Sequence, residues 1–282
     1  MAILFALCCL GCSAVNDFIF KLFADRPMSR GVFFSIIGVI MSAAALWNID
    51  FNAISGNLSN TLLWSCAAAF FSIAGNILLI ESMGKLSAGI CSTIYRLNLI
   101  FVVPGAILFF GEHLSLLQLT GVSAAVLAIL LFSFSTLKKE KASSLSGMIM
   151  ILTASLLRAG MGLTYKQAFR CHIQEETLVF VNGLFWVVGG LLYAWLKDGK
   201  IKLPDRSVWG FSALSGLFVL GIVFFMAKSL QAGAAGVVLS IAQMSFLGTL
   251  FLSVLFLKEK LEPFKIAGIA CGTAAILLLT LK

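Results

Sequence analysis

The chain has 282 residues, of which 60% are hydrophobic and only 11% are charged. A soluble domain carries about 25% charged residues, so this composition and a mean hydropathy of +1.05 exclude a soluble enzyme. The formal net charge of +8 sits mostly in short loops between apolar runs, where it orients helices in a bilayer, and it does not indicate nucleic acid as a partner.

The apolar runs predict an all-α, polytopic membrane protein. A spanning helix needs about 20 mostly apolar residues to cross a hydrocarbon core about 30 Å thick. Helices also satisfy every backbone group in lipid, and no alternating barrel strands are visible. Ten spans are predicted, at residues 2–24, 31–47, 61–83, 87–110, 115–135, 146–170, 177–197, 207–230, 233–257 and 262–281.

The two chain ends and the loops indicate an orientation. No lysine or arginine precedes the first apolar run, so it is interpreted as span 1 rather than as a signal peptide. The loops that follow odd-numbered spans hold fourteen lysine and arginine residues, whereas the opposite side holds three. The positive-inside rule therefore predicts cytoplasmic odd loops and both termini outside.

An internal repeat relates the two halves at an offset of 147 residues. Residues 84–135 correspond without a gap to residues 231–282, and Ala88-Gly89 matches Ala235-Gly236. The block Gly111-Glu112-His113-Leu114 matches Lys258-Glu259-Lys260-Leu261, and a glycine stands seven residues after each leucine. Five helices per half is an odd number, so the copies at 1–140 and 146–282 are predicted to have inverted topology, as in many secondary transporters.

These features resemble the drug/metabolite transporter superfamily, in its EamA-type ten-helix branch. The shared features are the five-plus-five count, the G-E-x-L helix start, the Ala-Gly openings, and a lysine late in the first helix of each half, Lys21 and Lys166. The chain departs from the pattern at Lys258, which replaces the glycine, and at the polar pair Tyr95-Arg96. Many members of that superfamily have cytoplasmic termini, contrary to the charge count. The resemblance implies a cavity between spans 1, 3, 4, 6, 8 and 9 in a bacterial inner (plasma) membrane protein.

Cationic side chains within spans are the first candidates for substrate binding, because charges in a bilayer are costly and usually functional. Arg96 lies near the middle of span 4, and its guanidinium can hold a carboxylate or phosphate by two parallel hydrogen bonds. A buried ion pair with Asp17 or bonds to helix carbonyls are the alternatives. Arg158, Lys21 and Lys166 are further candidates, for which pairing or snorkelling is the alternative.

Two acids and several uncharged residues complete the candidate site. Asp17 and Glu81 are the carboxyl groups that a proton-coupled mechanism would need, although each can simply neutralise a neighbouring cation. A few polar groups in an apolar cavity are typical of small-molecule sites. The uncharged candidates, for which interhelical hydrogen bonding or packing is the alternative, are Tyr95, Asn98, Asn76, Tyr165, Gln243 and Trp186.

Secondary transport of a small organic metabolite is therefore the predicted function, with an anionic or zwitterionic substrate favoured by the cationic excess within spans. A proton-coupled amino-acid or drug exporter and a non-transporting assembly protein are the alternatives. Lys85 lies outside any P-loop pattern, and the only histidines, His113 and His172, fall at loops, so neither a cofactor nor a metal is predicted. Gly268 and Gly272 allow close helix packing within the chain or in a homodimer, so the chain is expected to be a monomer or a homodimer.

Overall fold

The computed structural model describes residues 1–24, 29–47, 49, 57–83, 85–86, 91, 94–137, 144–199, 204–258 and 263–281. Regular structure in these ranges is helical. The helices are α1 (Ala2–Ala24), α2 (Arg30–Leu46), α3 (Leu58–Met83), α4 (Leu99–Phe110), α5 (Leu116–Leu137), α6 (Leu145–Arg170), α7 (Glu175–Asp198), α8 (Arg206–Ala232), α9 (Ala235–Gln243), α10 (Ser245–Leu257) and α11 (Pro263–Thr280).

Helix length and composition confirm the membrane prediction. Among the described residues, seven helical segments are long and apolar enough to cross a bilayer. Three further apolar segments are shorter, at Arg30–Leu46, Ile94–Phe110 and Leu116–Leu131. The all-helical membrane class is thus confirmed, while the count of ten spans stays a prediction.

Two of the predicted spans are interrupted, although their apolar runs predicted continuous helices. Met244 forms a turn between α9 and α10. In the first half, Leu97 and Asn98 form a turn between the helical residues 94–96 and α4. Leu97 and Met244 are 147 residues apart, which is the offset of the predicted repeat.

Small residues bring α2 and α7 into close contact. A Cβ atom added to Gly38 would lie 2.6 Å from the carbonyl oxygen of Gly183 and 2.7 Å from the amide nitrogen of Val187. Ser42 on the same helix donates a hydrogen bond to the carbonyl oxygen of Phe180 at 3.3 Å. Small residues at interfaces let helix backbones approach closely where lipid provides no hydrophobic drive for association.

The other main helix pairs also join the two halves of the chain. α1 packs against α8, α3 against α6, and α5 against α11. A Cβ atom on Gly121 of α5 would lie 2.9 Å from Leu279 of α11, and one on Gly272 would lie 2.9 Å from Leu247. These glycines serve contacts within the chain.

Two ion pairs lie at opposite ends of α7. Glu81, near the end of α3, lies 3.1 Å from Lys197 at the end of α7. Lys228, near the end of α8, lies 3.0 Å from Glu175 at the beginning of α7. The carboxyl ends of α3 and α8 therefore lie at opposite ends of this helix.

Candidate functional site

Arg96 is the centre of a polar cluster between α1 and the interrupted helix α9–α10. Its Nη2 donates to Asp17 Oδ2 at 2.5 Å, and its Nη1 donates to Ser245 Oγ at 2.5 Å and to the Gln243 carbonyl oxygen at 3.2 Å. The Arg96 side chain is 13% exposed and that of Asp17 33%. The cation that is costly in lipid is thus paired with a carboxylate, the arrangement weighed in the sequence analysis as the alternative to a free binding group.

The helix interruptions explain why these groups meet. Arg96 ends the helical residues 94–96, Gln243 ends α9, and Ser245 begins α10. A broken helix leaves carbonyl and amide groups without intrahelical partners, and Arg96 satisfies one such carbonyl. Gln243, predicted as a side-chain contact, takes part in this bond through its backbone. Asp17 also accepts a hydrogen bond from Ser245 at 3.3 Å.

Arg158 and Tyr95 form a second part of the cluster. The guanidinium carbon of Arg158 lies 5.9 Å from the centroid of the Tyr95 ring. The hydrogen bond of Arg158 is directed to the sulfur of Met161 at 3.7 Å. The Tyr95 hydroxyl is buried and has no hydrogen-bond partner in the part of the chain that the structure describes. Asn98, itself buried, donates to the Tyr95 carbonyl at 3.0 Å and so fixes the turn after Arg96.

Two of the remaining uncharged candidates, Tyr165 and Trp186, make interhelical hydrogen bonds. Asn182 of α7 donates to the Tyr165 hydroxyl at 2.9 Å, and Tyr165 is fully buried. The Trp186 indole donates to Ser72 Oγ at 2.9 Å. These two bonds tie α7 to α6 and α3, which is the structural role set beside binding for both residues. Asn76 instead donates to the Ser72 carbonyl within its own helix α3, at 2.8 Å.

Lys166 of α6 lies away from the Arg96 cluster, and its side chain contacts the carboxyl end of α8. Its ammonium donates to the carbonyl oxygens of Leu230 at 2.7 Å and Gly233 at 2.5 Å. A cavity of 420 Å³ next to it is also lined by Glu112 and Arg170. Lys166 therefore stabilises carbonyls at a helix end, where a cation complements the helix dipole.

Glu112 caps a helix of the other half rather than its own. Its Oε1 and Oε2 accept from the backbone amides of Ala235 at 2.7 Å and Gly236 at 3.1 Å, at the beginning of α9. The helix that follows Glu112 is capped instead by Ser115 and Gln118, which exchange hydrogen bonds of 3.0 and 3.2 Å in a capping box. Because the S-x-x-Q motif already caps the helix that follows, the Glu112 carboxylate is available for the contact with α9.

Glu81 also lies away from Arg96. It accepts from the Tyr193 hydroxyl at 2.9 Å and pairs with Lys197. Glu175, which the sequence analysis did not single out, is 6% exposed and pairs with Lys228. An acidic residue at the beginning of a helix was its only signal. The side chain of Lys21 lies outside the described residues.

Mostly apolar helices around an intramembrane polar cluster define a polytopic membrane protein. Residues 145–281 match the model of the EamA-like transporter family. The second half of the chain is therefore similar to that family, as the resemblance to the drug/metabolite transporter superfamily predicted. Members of the family are transporters and not enzymes.

Structural comparison finds a solved structure that shares its fold with nearly the whole chain. A solved structure described as "Crystal structure of protein" superposes with a TM-score of 0.79 and covers 99% of this chain and 96% of its own. The two sequences are 10% identical, so the likeness concerns the fold alone. The comparison with curated proteins gives no match for this chain.

Proposed function

We propose that the protein is a secondary transporter that moves a small organic anion or zwitterion across the membrane by alternating access. The Arg96 cluster carries this proposal, since it places charged groups within the spans at the point where two interrupted helices meet. Transporters with inverted repeats bind substrate near the bilayer midplane, at the repeat interface and beside discontinuous helices. The contacts of Asp17, Arg96 and Ser245 beside two interrupted helices support a site of this kind in the present chain.

An inverted repeat of two five-helix units, 1–140 and 146–282, supports this mechanism. Helices α3 and α8 are counterparts in the 147-residue repeat, and their carboxyl ends lie at opposite ends of α7. The contact of α1 with α8 is the counterpart of that of α3 with α6. Both features are those expected when two copies of one unit cross the membrane in opposing senses, with ten spans in all.

The charge of the cluster supports the substrate class. Arg96 and Arg158 stand against one carboxylate, Asp17, so the cluster carries a positive excess among the described residues. An anionic or zwitterionic substrate would compensate that excess within the low-dielectric interior. The uncharged groups around it, including Tyr95 and Asn98, supply the polar contacts that orient a small molecule.

Proton-coupled export of an amino acid or a drug is the second candidate function, and the position of Asp17 favours it. Its carboxylate is 33% exposed although it lies within a span. If the Asp17 carboxylate releases Arg96 and binds a proton instead, the charge of the site changes during the transport cycle. Glu81 lies too near the end of α3, in its pair with Lys197, to share this cluster.

Uptake into proteoliposomes tests the transport function. The full-length protein is reconstituted, and a panel of organic anions, amino acids and cationic drugs is measured with and without a pH gradient. Arg96→Gln is expected to lower uptake of organic anions, whereas Arg206→Gln, which removes an exposed cation at the beginning of α8, should not. The anion proposal is wrong if Arg96→Gln leaves every anion unchanged while a cationic drug is still exported.

We also infer that the protein resides in a bacterial inner (plasma) membrane with both termini outside. The uneven distribution of lysine and arginine over the loops supports this orientation. Labelling of single cysteines in a cysteine-free background tests it. In intact cells, a membrane-impermeant maleimide should modify the cysteine introduced by His113→Cys, but not the one introduced by Lys85→Cys. The reverse labelling pattern would show that the termini are cytoplasmic.

A further inference from the structure

We propose that Arg158 and the hydroxyl of Tyr95 form the anion-binding subsite of this transporter and hold a single carboxylate of the substrate. Arg96 is a positioning residue that holds the interrupted helices together. This inference rests on the proposed transport function and assigns different roles to the two arginines of the cluster.

Arg158 carries the uncompensated charge. It lies near the middle of α6, where a guanidinium is costly unless a partner compensates it. No carboxylate of the described residues lies within ion-pair distance of Arg158. Its described hydrogen-bond partner is the thioether of Met161, a weak acceptor. The planar fork of N–H donors therefore stays available for a carboxylate, which it matches in geometry.

Tyr95 adds a second unused donor at the same place. Its ring lies against Arg158, and its buried hydroxyl has no partner among the described residues. Buried hydroxyls are normally hydrogen-bonded, so one without a partner calls for an explanation. A carboxylate that accepts from both groups would satisfy the hydroxyl and neutralise the guanidinium together. Asn98 and Ser155, which bond to the Tyr95 carbonyl at 3.0 and 3.5 Å, hold the residue in position.

Arg96 differs from Arg158 in its hydrogen bonds and in its ion pair. Its donors already reach Asp17, Ser245 and the Gln243 carbonyl. A substrate carboxylate would have to displace Asp17 to reach it. With the Arg96–Asp17 pair neutral, the described cluster has one positive charge for the substrate to balance. A substrate with one carboxylate, as in a monoanion or a zwitterion, is therefore favoured over a dianion.

The test uses the full chain in proteoliposomes with four labelled probes: benzoate, leucine, succinate and tetraphenylphosphonium. We expect the wild-type protein to take up benzoate or leucine in preference to succinate and tetraphenylphosphonium. Arg158→Gln should raise the KM for that probe by roughly tenfold or more, since hydrogen bonds to charged groups are among the stronger ones. The KM of Arg158→Lys should lie between those of the wild type and Arg158→Gln, because an ammonium keeps the charge and loses the bidentate geometry.

Two further variants keep the test independent of folding failures at position 158. Tyr95→Phe removes one oxygen atom and should raise the KM by roughly tenfold, because the hydroxyl donates to the same charged carboxylate. Arg96→Gln leaves Asp17 without its partner and should lower kcat. The double variant Asp17→Asn with Arg96→Gln removes both charges, so its kcat should lie above that of Arg96→Gln alone.

The outcomes separate this inference from the function on which it rests. If wild type transports benzoate or leucine and both Arg158→Gln and Tyr95→Phe keep its KM, the subsite is wrong and the transport function stands. A rise of KM by about tenfold in the double variant at 17 and 96 would instead assign the carboxylate to Arg96. If the wild type transports only tetraphenylphosphonium or none of the probes, the anion transport function and the subsite are both wrong.

Discussion

Glu112 accepts a hydrogen bond from the backbone amide of Gly236, which lies 124 residues further along the chain. The contact joins the segment after α4 in one half to the first turn of α9 in the other. It links two sequence features that were noticed separately, the G-E-x-L block and the Ala-Gly opening of the ninth predicted span. One half-buried carboxylate thus connects the halves at one end of the helix bundle.

Removal of the Glu112 carboxylate should destabilise this junction. Glu112→Ala leaves the amides of Ala235 and Gly236 without their acceptor and removes a negative charge from a helix amino end. Losses of this kind cost about 0.5–2 kcal/mol. Thermal unfolding in detergent should show a lowered Tm for Glu112→Ala. His113→Ala, which changes the exposed neighbour, is the control, and equal melting of the two variants would contradict the cap.

Lys166 is expected to stabilise the end of α8 rather than bind substrate. Lys166→Met removes the donor to the Leu230 and Gly233 carbonyls, and unsatisfied buried carbonyls cost about 1–3 kcal/mol. The variant should therefore unfold at a lower temperature while the KM for transported solutes stays the same. Lys166→Arg, which retains a cationic donor, is the matched control. A raised KM with unchanged Tm would show that Lys166 contacts the substrate.

The two ion pairs on α7 should differ in strength. The Lys197 side chain is 59% exposed, so its pair with Glu81 resembles surface pairs worth about 0–1 kcal/mol. The Glu175 side chain is 7% exposed, and loss of Lys228 leaves this buried carboxylate without a cation, with the Gln231 amide at 3.0 Å as its remaining side-chain donor. Lys228→Met should therefore lower the Tm more than Lys197→Met does. Equal shifts, measured in the same detergent, would contradict this ranking.

The close packing of α2 against α7 gives a prediction that concerns the backbone. Gly38→Leu cannot fit between Gly183 and Val187 and should separate the two helices, with a large loss of folded yield and of Tm. Gly210→Ala is the control, because nothing lies within 4 Å of a Cβ atom there. Replacement of glycine by alanine in a helix usually stabilises it by about 0.5–1 kcal/mol. Fluorescence size-exclusion profiles and melting curves compare the two, and a Gly38→Leu protein as stable as wild type would contradict the packing.

Much of the helical framework could be predicted from the sequence, because runs of apolar residues are a direct consequence of lipid as solvent. The pairing of Arg96 with Asp17 was among the predicted alternatives, since a mid-span cation needs compensation. The interruptions at residues 97–98 and 244 were not predicted. Neither position has a proline or glycine, and the polar side chains of Asn98 and Ser245 at matched places in apolar spans were the available signal.

Long-range partners were the other part that sequence reasoning missed. Glu112 stands in a block that predicts a helix start, but a sequence pattern reports neighbours within a turn or two and not contacts 124 residues away. Lys166 was a binding candidate because it is a cation within a predicted span. In the structure Lys166 donates to carbonyls at the end of α8, a contact that no local sequence pattern predicts.

The hydrogen bond from Arg96 to the Gln243 carbonyl joins two residues that are counterparts in the proposed repeat. In an inverted repeat, a contact between counterpart residues lies close to the axis that relates the two units, because the symmetry operation exchanges the two residues. If the two units tilt against each other about a point near that axis, contacts there change least. The bond would then act as a fulcrum, kept intact while the openings on either side of the bilayer alternate.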